Sequence, residues 1–293
     1  MGFSFLVKTE YNLIMIKRKV LIFIALAILI LIGILGTIFW LKSSSPALQT
    51  NTVSKPSTTP SQNIPQVEKF DVPILMYHYI RNAEGEDQLG KNLSVSPENF
   101  EAQIKWLKDD HYQTIKLQDL ADSNRTELSR VYFKKKKPII LTFDDGYEDA
   151  YTQAYPVLKK YGFIGTFFII TEYTGRENRL THTQIDEMTK SGMEFGSHSL
   201  THPDLTKISL EDAKSQIVNS KGDWLTFCYP SGKYNSDIIN LIKDAGYLAA
   251  VTTKIGIANE KSNLFELRRV RVENVSPQVL MDKISYAYES GQY

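Results

Sequence analysis

From residue 72 onward, short continuous apolar runs alternate with longer stretches in which apolar residues recur every three or four positions. The runs are VPILMYH (72–78), PIILTF (138–143), IGTFFII (164–170), MEFGSH (193–198), WLTFCYP (224–230) and YLAAVTT (247–253). They read as strands. Between the first two, Phe100, Ile104 and Trp106/Leu107 fall at helical spacing, with Ser96 and Pro97 placed as cap and first turn. Three segments, KKYGF, TKSGM and KDAGY, put a glycine between a helical pattern and an apolar run. Glycine enters the left-handed conformation of a helix C-cap without a side-chain clash, so the recurrence reads as repeated helix-to-strand joints. Strands alternating with helices imply a parallel sheet with helices outside. Roughly 220 residues of this pattern suit one α/β domain of the (β/α) barrel type, with its chemistry where strands end and βα loops begin.

The N-terminal pattern differs. Val20 to Leu41 is an uncharged apolar run long enough to cross a bilayer, and Lys17, Arg18 and Lys19 precede it. The expected organisation is a cytoplasmic N-terminus (1–19), a transmembrane anchor (20–41), a flexible extracellular linker (42–69) and a folded domain at 70–293. The linker is rich in Ser, Thr, Pro, Gln and Asn and poor in large apolar groups, so it cannot build a core. FWLKSSSPALQT lacks an A-x-A cleavage pattern, which favours an uncleaved anchor over a signal peptide. Met15, just before the basic cluster, is an alternative start.

Composition narrows the partners. The net charge of +1 gives no reason to expect nucleic acid, and the one block of like charge, Lys134 to Lys137, reads as a solvated loop. The single cysteine, Cys228, excludes an internal disulfide and a cysteine-rich metal site, and reads as a small core residue.

The chemistry-bearing residues stand at strand ends. PIILTF runs into Asp144 and Asp145, two carboxylates that repel each other. Asp145-Gly146 alone is compatible with a simple turn. The apolar run MEFGSH, however, leads into a second polar cluster, in which His198 and His202 lie four residues apart. Over one helical turn that spacing brings both imidazoles to one side. Two histidines and a carboxylate form a metal set with positions left open for water and substrate, and a bound cation explains why adjacent aspartates are tolerated.

TFDDG (142–146) together with HSLTHP (198–203) resembles the first two motifs of the polysaccharide deacetylases, the NodB-type domain of carbohydrate esterase family 4. The resemblance runs over roughly 72–277 and includes VPILMYH, YPVLKKYGFIGTFFI and YPSGKYN. It implies a distorted (β/α) barrel and removal of acetyl groups from N- or O-acetylated sugars with a divalent metal, usually zinc. By position it makes Asp145, His198 and His202 the metal ligands and Asp144 the general base. It also assigns an oxyanion-holding backbone N–H to Ser231, which stands where the family usually has an aromatic residue. Two features depart from the family pattern. The arginine of the third motif is replaced by Cys228, and no histidine follows His202 to complete an L-x-H motif.

His78, at the end of VPILMY, resembles that L-x-H motif moved to the start of the domain, as in the extracellular poly-N-acetylglucosamine deacetylases, whose barrel looks circularly permuted. His78 is thus expected to be the general acid, with a nearby carboxylate raising its pKa; the alternative is a buried structural histidine. Arg269 in LRRVRV either orients Asp144 in place of the missing arginine or forms a surface salt bridge. His111 and His182 lie in polar contexts and read as surface residues, and Tyr229 and Tyr234 are open to sugar stacking or core packing. The resulting expectation is an envelope-tethered N-deacetylase of an acetylated exopolysaccharide. Peptidoglycan deacetylation, O-acetyl esterase activity and a non-catalytic glycan-binding module are the alternatives. A glycosidase would not need the histidine pair.

Overall fold

A computed structural model describes residues 70–123 and 137–292. The expected cytoplasmic segment, anchor and linker, and Lys134–Lys136, lie outside them. Among the described residues no helix is long and apolar enough to cross a membrane.

In chain order the strands are β1 (Asp71–Val72), β2 (Ile74–Tyr77), β3 (Tyr79–Ile80), β4 (Ser94–Val95), β5 (Tyr112–Thr114), β6 (Lys137–Phe143), β7 (Thr166–Ile169), β8 (Glu194–Ser197), β9 (Thr226–Cys228), β10 (Ala249–Val251), β11 (Ala258–Asn259) and β12 (Val270–Arg271). The α-helices are α1 (Gln88–Leu93), α2 (Pro97–Asp109), α3 (Leu117–Ser123), α4 (Tyr155–Tyr161), α5 (His182–Lys190), α6 (Leu210–Val218), α7 (Ser236–Asp244) and α8 (Pro277–Glu289). The main sheet runs β10-β9-β8-β7-β6-β2-β12 with all of these pairings parallel, and β5 adds to β6. From β6 to β10 each strand lies beside its predecessor, the order of a singly wound (β/α) fold. The expected barrel is incomplete. At the seam, Leu267 makes one isolated bridge to Val251, and three residues later Val270 pairs with Leu75.

The strands obey a two-residue period. Leu75, Tyr77, Leu141, Phe143, Phe167 and Phe195 belong to an outer core with Phe100, Ile104, Leu158, Met188, Leu280 and Ile284 of the helices. Ile74, Ile140, Phe168, Cys228 and Val251 point the other way into a separate inner cluster. Stacked rings of Tyr77, Phe143 and Phe167, with centroids 5.2 and 4.7 Å apart, brace the outer face.

The local signals act as their chemistry requires. Ser96 accepts the Asn99 N–H at 3.2 Å and caps α2 behind Pro97; such a cap contributes about 1 kcal/mol. Gly162, Gly192 and Gly246 take φ of 67°, 94° and 80° after α4, α5 and α7, which a β-carbon would disfavour.

Candidate metal and proton-transfer site

The period of two fixes which side chains reach the lumen. Ile140, Thr142 and Asp144 share the inner face of β6 and its extension, as Ile74, Met76 and His78 do for β2. Cys228 of β9 and His198 just past β8 point the same way. Arg269 enters from the segment leading into β12. His78, Asp144 and His198 stand just past the C-terminal ends of β2, β6 and β8, and Cys228 is the last residue of β9, where βα loops begin.

Asp144 is buried, and both its oxygens accept from the fully buried Arg269, Oδ1 from Nη1 and Oδ2 from Nη2, each at 2.8 Å. Arg269 also donates to Thr142 Oγ1 at 2.9 Å and from Nε to the Thr252 carbonyl at 2.8 Å, so its fork is fixed in place. Burial disfavours the Asp144 carboxylate, but the guanidinium overrides it and holds the pKa down at about 2. Cys228 is a core residue whose Sγ lies 3.5 Å from Asp144 Oδ2 and 3.4 Å from Arg269 Nη2.

Asp145 adopts φ 77° and Gly146 φ 69°, a left-handed pair that turns the chain sharply after β6. Asp145 Oδ1 lies 3.4 Å from His198 Nε2 and 3.8 Å from His202 Nε2, and the imidazole centroids are 4.6 Å apart. The histidines do not meet across a helical turn, as their spacing suggests. HSLTHP is a loop in which Ser199 (φ 65°) and His202 (φ 62°) both take left-handed backbone conformations. Ser199 Oγ accepts the His202 N–H at 3.0 Å and holds that loop closed.

The donor set fits a divalent ion. One atom from each of Asp145, His198 and His202 lies within 4.8 Å of the others. His198 donates Nδ1–H to the Cys228 carbonyl at 2.7 Å, which leaves the Nε2 lone pair aimed at Asp145, the usual outer support of a ligating histidine. Asp144, His198 and Cys228 are equally close together. That second set fits poorly, because Asp144 has both oxygens engaged by Arg269 and a guanidinium abuts the sulfur. The first set leaves Asp145 facing the imidazoles.

His78 Nε2 is 3.8 Å from Asp144 Oδ2. Burial nevertheless lowers the His78 pKa, outweighing the Asp144 and Asp145 charges that would raise it. The expected upward shift is therefore corrected: desolvation of the cation wins. Ser231 is exposed at φ 53° in the short turn Pro230–Gly232, just beyond β9. His111 and His182 are exposed. Tyr229 is buried, donating its hydroxyl to the Phe265 carbonyl at 2.9 Å and stacking on Tyr234, so core packing accounts for it.

A half-barrel of parallel strands with a carboxylate–histidine metal set and an adjacent buried carboxylate at its mouth defines a class of hydrolytic metal site. The chain belongs to the polysaccharide deacetylase family. The family model for polysaccharide deacetylase matches residues 133–250. Bacillus subtilis YxkH, which carries the family's name, is 36% identical over 213 residues, covering 69% of this chain and 71% of that protein. Poly-beta-1,6-N-acetyl-D-glucosamine N-deacetylase of Staphylococcus aureus is 29% identical, with 68% of this chain and 78% of the relative covered. Among solved structures, Streptococcus pyogenes deacetylase PplD in complex with acetate superposes with TM-score 0.68 at 34% identity, over 74% of this chain and 99% of PplD. IcaB from Ammonifex degensii shares the fold at TM-score 0.61 and 20% identity, over 74% of this chain and 97% of that one.

Proposed function

We propose that the chain is a metal-dependent N-deacetylase that releases acetate from an N-acetylglucosamine-type polysaccharide. The observation that carries this reading is the convergence of Asp145, His198 and His202 within 4.8 Å of one another, beside the Asp144–Arg269 pair and His78. The relative named for poly-beta-1,6-N-acetyl-D-glucosamine supports the substrate class.

Asp145, His198 and His202 would hold the ion. When bound there, a divalent metal, which we read as zinc, would supply an acidified water and polarise the acetyl carbonyl. Asp144 stays ionised under Arg269 and so accepts the proton of the attacking water as its oxygen adds to the acetyl carbon. We assign the oxyanion-holding donor to the backbone N–H of Ser231, in the turn just beyond β9. When the carbon–nitrogen bond breaks, His78, which burial keeps neutral at rest and which first takes up a proton from solvent, passes that proton to the departing nitrogen. Acetate and the free amine of the sugar result.

The same reading covers the chain's organisation. The strand that leads into His78 lies beside β6, which supports a circularly permuted barrel in which the L-x-H-like element precedes the aspartate motif. The apolar segment 20–41 anchors the chain in the bilayer, 42–69 is the tether, and the domain at 70–293 works outside the cell on envelope or extracellular glycan.

The test is acetate release by the full chain from poly-N-acetylglucosamine, peptidoglycan and O-acetylated glycan, with metal analysis of variants. Asp145→Ala and His198→Ala/His202→Ala should lose both metal and acetate release. Full zinc occupancy in the double variant would remove the site as drawn. Release from O-acetylated glycan alone would make the chain an esterase.

A further inference from the structure

The two segments that carry the proposed chemistry leave the sheet side by side. His78 stands one residue beyond the end of β2, where the β2–β6 ladder has reached its last pair, Tyr77 with Phe143. Beyond it, β3 pairs only with the two-residue β4. The main sheet therefore does not hold the chain on the far side of His78.

Other contacts do. The Tyr79 ring stacks on Tyr147, two residues past Asp145, with centroids 3.8 Å apart and planes 26° from parallel. The Arg81 guanidinium lies 3.6 Å from the Tyr79 centroid, and that of Arg179 lies 4.1 Å from the Tyr147 centroid. Arg179 also donates from Nη1 to the Asp145 carbonyl at 2.7 Å. Asp149, further along the same loop, accepts the Ile80 N–H at Oδ2, 3.1 Å away.

Tyrosines at the mouth of a glycan site invite a reading as sugar platforms. Here both rings are already engaged by protein groups. Arg81 and Tyr147 lie against Tyr79, 3.6 and 3.8 Å from its centroid, and Tyr79 and Arg179 lie against Tyr147, 3.8 and 4.1 Å from its centroid. What the stack does is join the residue after His78 to the loop of Asp144 and Asp145.

We propose that Tyr79, Tyr147 and Asp149 are positioning residues, a strut that sets His78 against the aspartate loop for proton delivery to the leaving nitrogen. The inference rests on the N-deacetylase reading above. Proton transfer needs hydrogen-bond reach, and a misplacement of about 1 Å costs on the order of 10²-fold in rate. A strut that fails should therefore slow the acid-dependent step while leaving metal and substrate binding intact.

The experiment compares Tyr79→Leu, Tyr79→Phe and Asp149→Ala in the metal-loaded full chain. On an N-acetylglucosamine oligomer, Tyr79→Leu should lower kcat about 10- to 100-fold with KM within about twofold. An aryl acetate, whose leaving group needs little help from an acid, should lose less than about threefold. Tyr79→Phe, which keeps the stack, should restore the oligomer rate. Asp149→Ala reaches the same loop by a separate bond and should show the same split, so the proposal stays open to refutation if Tyr79→Leu misfolds. The readout independent of activity is exchange of the Ile80 amide hydrogen, expected to quicken about tenfold or more in Tyr79→Leu and Asp149→Ala but not in Tyr79→Phe. Equal loss on both substrates, or unchanged Ile80 exchange in both disruptive variants, overturns the strut. So does normal oligomer turnover despite faster exchange. A wild-type chain that releases no acetate from any N-acetylated glycan would instead sink the N-deacetylase reading, and Ile80 exchange alone would then decide whether the strut exists.

Discussion

At the scale of single residues, the centre of the site is the buried pair of Asp144 and Arg269. A carboxylate in this position would be protonated by burial alone; the bidentate guanidinium keeps it charged and fixes its orientation. Two predictions separate these roles. Asp144→Asn keeps the shape but removes the proton acceptor, so metal content should stay at wild-type level while acetate release falls by about 10² to 10⁴. Near-normal turnover with metal retained would place the base elsewhere. Arg269→Gln leaves a buried carboxylate without its cation, which should cost about 3–5 kcal/mol in urea unfolding; a loss below about 1 kcal/mol would show that water reaches the pair. Cys228 stands where the family's third motif has an arginine, and Arg269, whose Nη2 lies 3.4 Å from that cysteine's sulfur, brings a guanidinium to Asp144 from the segment before β12. LRRVRV contains three arginines, and composition cannot say which turn inward. Once the segment is known to be extended, the two-residue period through Leu267, with Val270 and Val272 in the outer core, puts Arg269 and Arg271 on the inner face and Arg268 on the other.

At the scale of elements, much was legible and the gaps have a common cause. All six apolar runs contain strands of the main sheet, the Ser96–Pro97 start holds for α2, and the three glycines end helices in the left-handed conformation. The two strands of the eight-stranded sheet outside those runs, β5 and β12, are three and two residues long and mix apolar with polar or charged side chains, so no periodicity builds up. The histidine pair misled about local structure because spacing of four is also met by a tight loop, and left-handed φ at Ser199 and His202 is not written in residue type. A similar loop carries Ser231. Gly232 has φ 70°, and a β-carbon there would lie 2.7 Å from Thr253 Cγ2. Gly232→Ala should therefore cost about 1–3 kcal/mol in urea unfolding and lower acetate release with metal retained, because the Ser231 N–H moves with the turn. Thr253→Ala in the same chain should recover part of the stability, since it removes the atoms met first but not the backbone strain. An unaffected Gly232→Ala would show that the turn has room to shift without consequence.

At the scale of the whole molecule, the lumen is apolar in its middle and polar at both ends, and β8 shows why. Its inner face reads Glu194, Gly196, His198 from the N-terminal to the C-terminal end, so one strand bears a buried carboxylate at the floor and an imidazole at the mouth. Gly196 is required between them, since a β-carbon would meet Phe168 Cε1 and Thr226 Oγ1 at 2.6 Å. Glu194 accepts from the Leu117 N–H at 2.6 Å and the Gln118 N–H at 3.1 Å, capping α3. It also bonds Thr166 of β7 at 2.6 Å and Thr226 of β9 at 3.3 Å. Two effects compete for its charge. Burial favours the neutral acid and the four donors favour the carboxylate; Asp119 nearby adds repulsion, and burial wins, pushing the pKa from 4.5 up to about 7. The sign of the linkage follows. In the unfolded chain Glu194 ionises near 4.5, whereas the folded chain keeps the proton to about 7, so its contribution to stability is complete below 4.5 and declines as pH rises through that interval. At 1.36 kcal/mol per unit the decline amounts to about 3 kcal/mol. Glu194→Gln cannot ionise and should show none of it. Its amide also loses one backbone N–H acceptor, a penalty that does not vary with pH. Urea unfolding of both chains at pH 4.5, 6 and 7.5 should therefore show the difference moving by about 3 kcal/mol in favour of the variant as pH rises. A difference that stays constant would mean that the four donors outweigh burial and keep the floor of the lumen charged throughout.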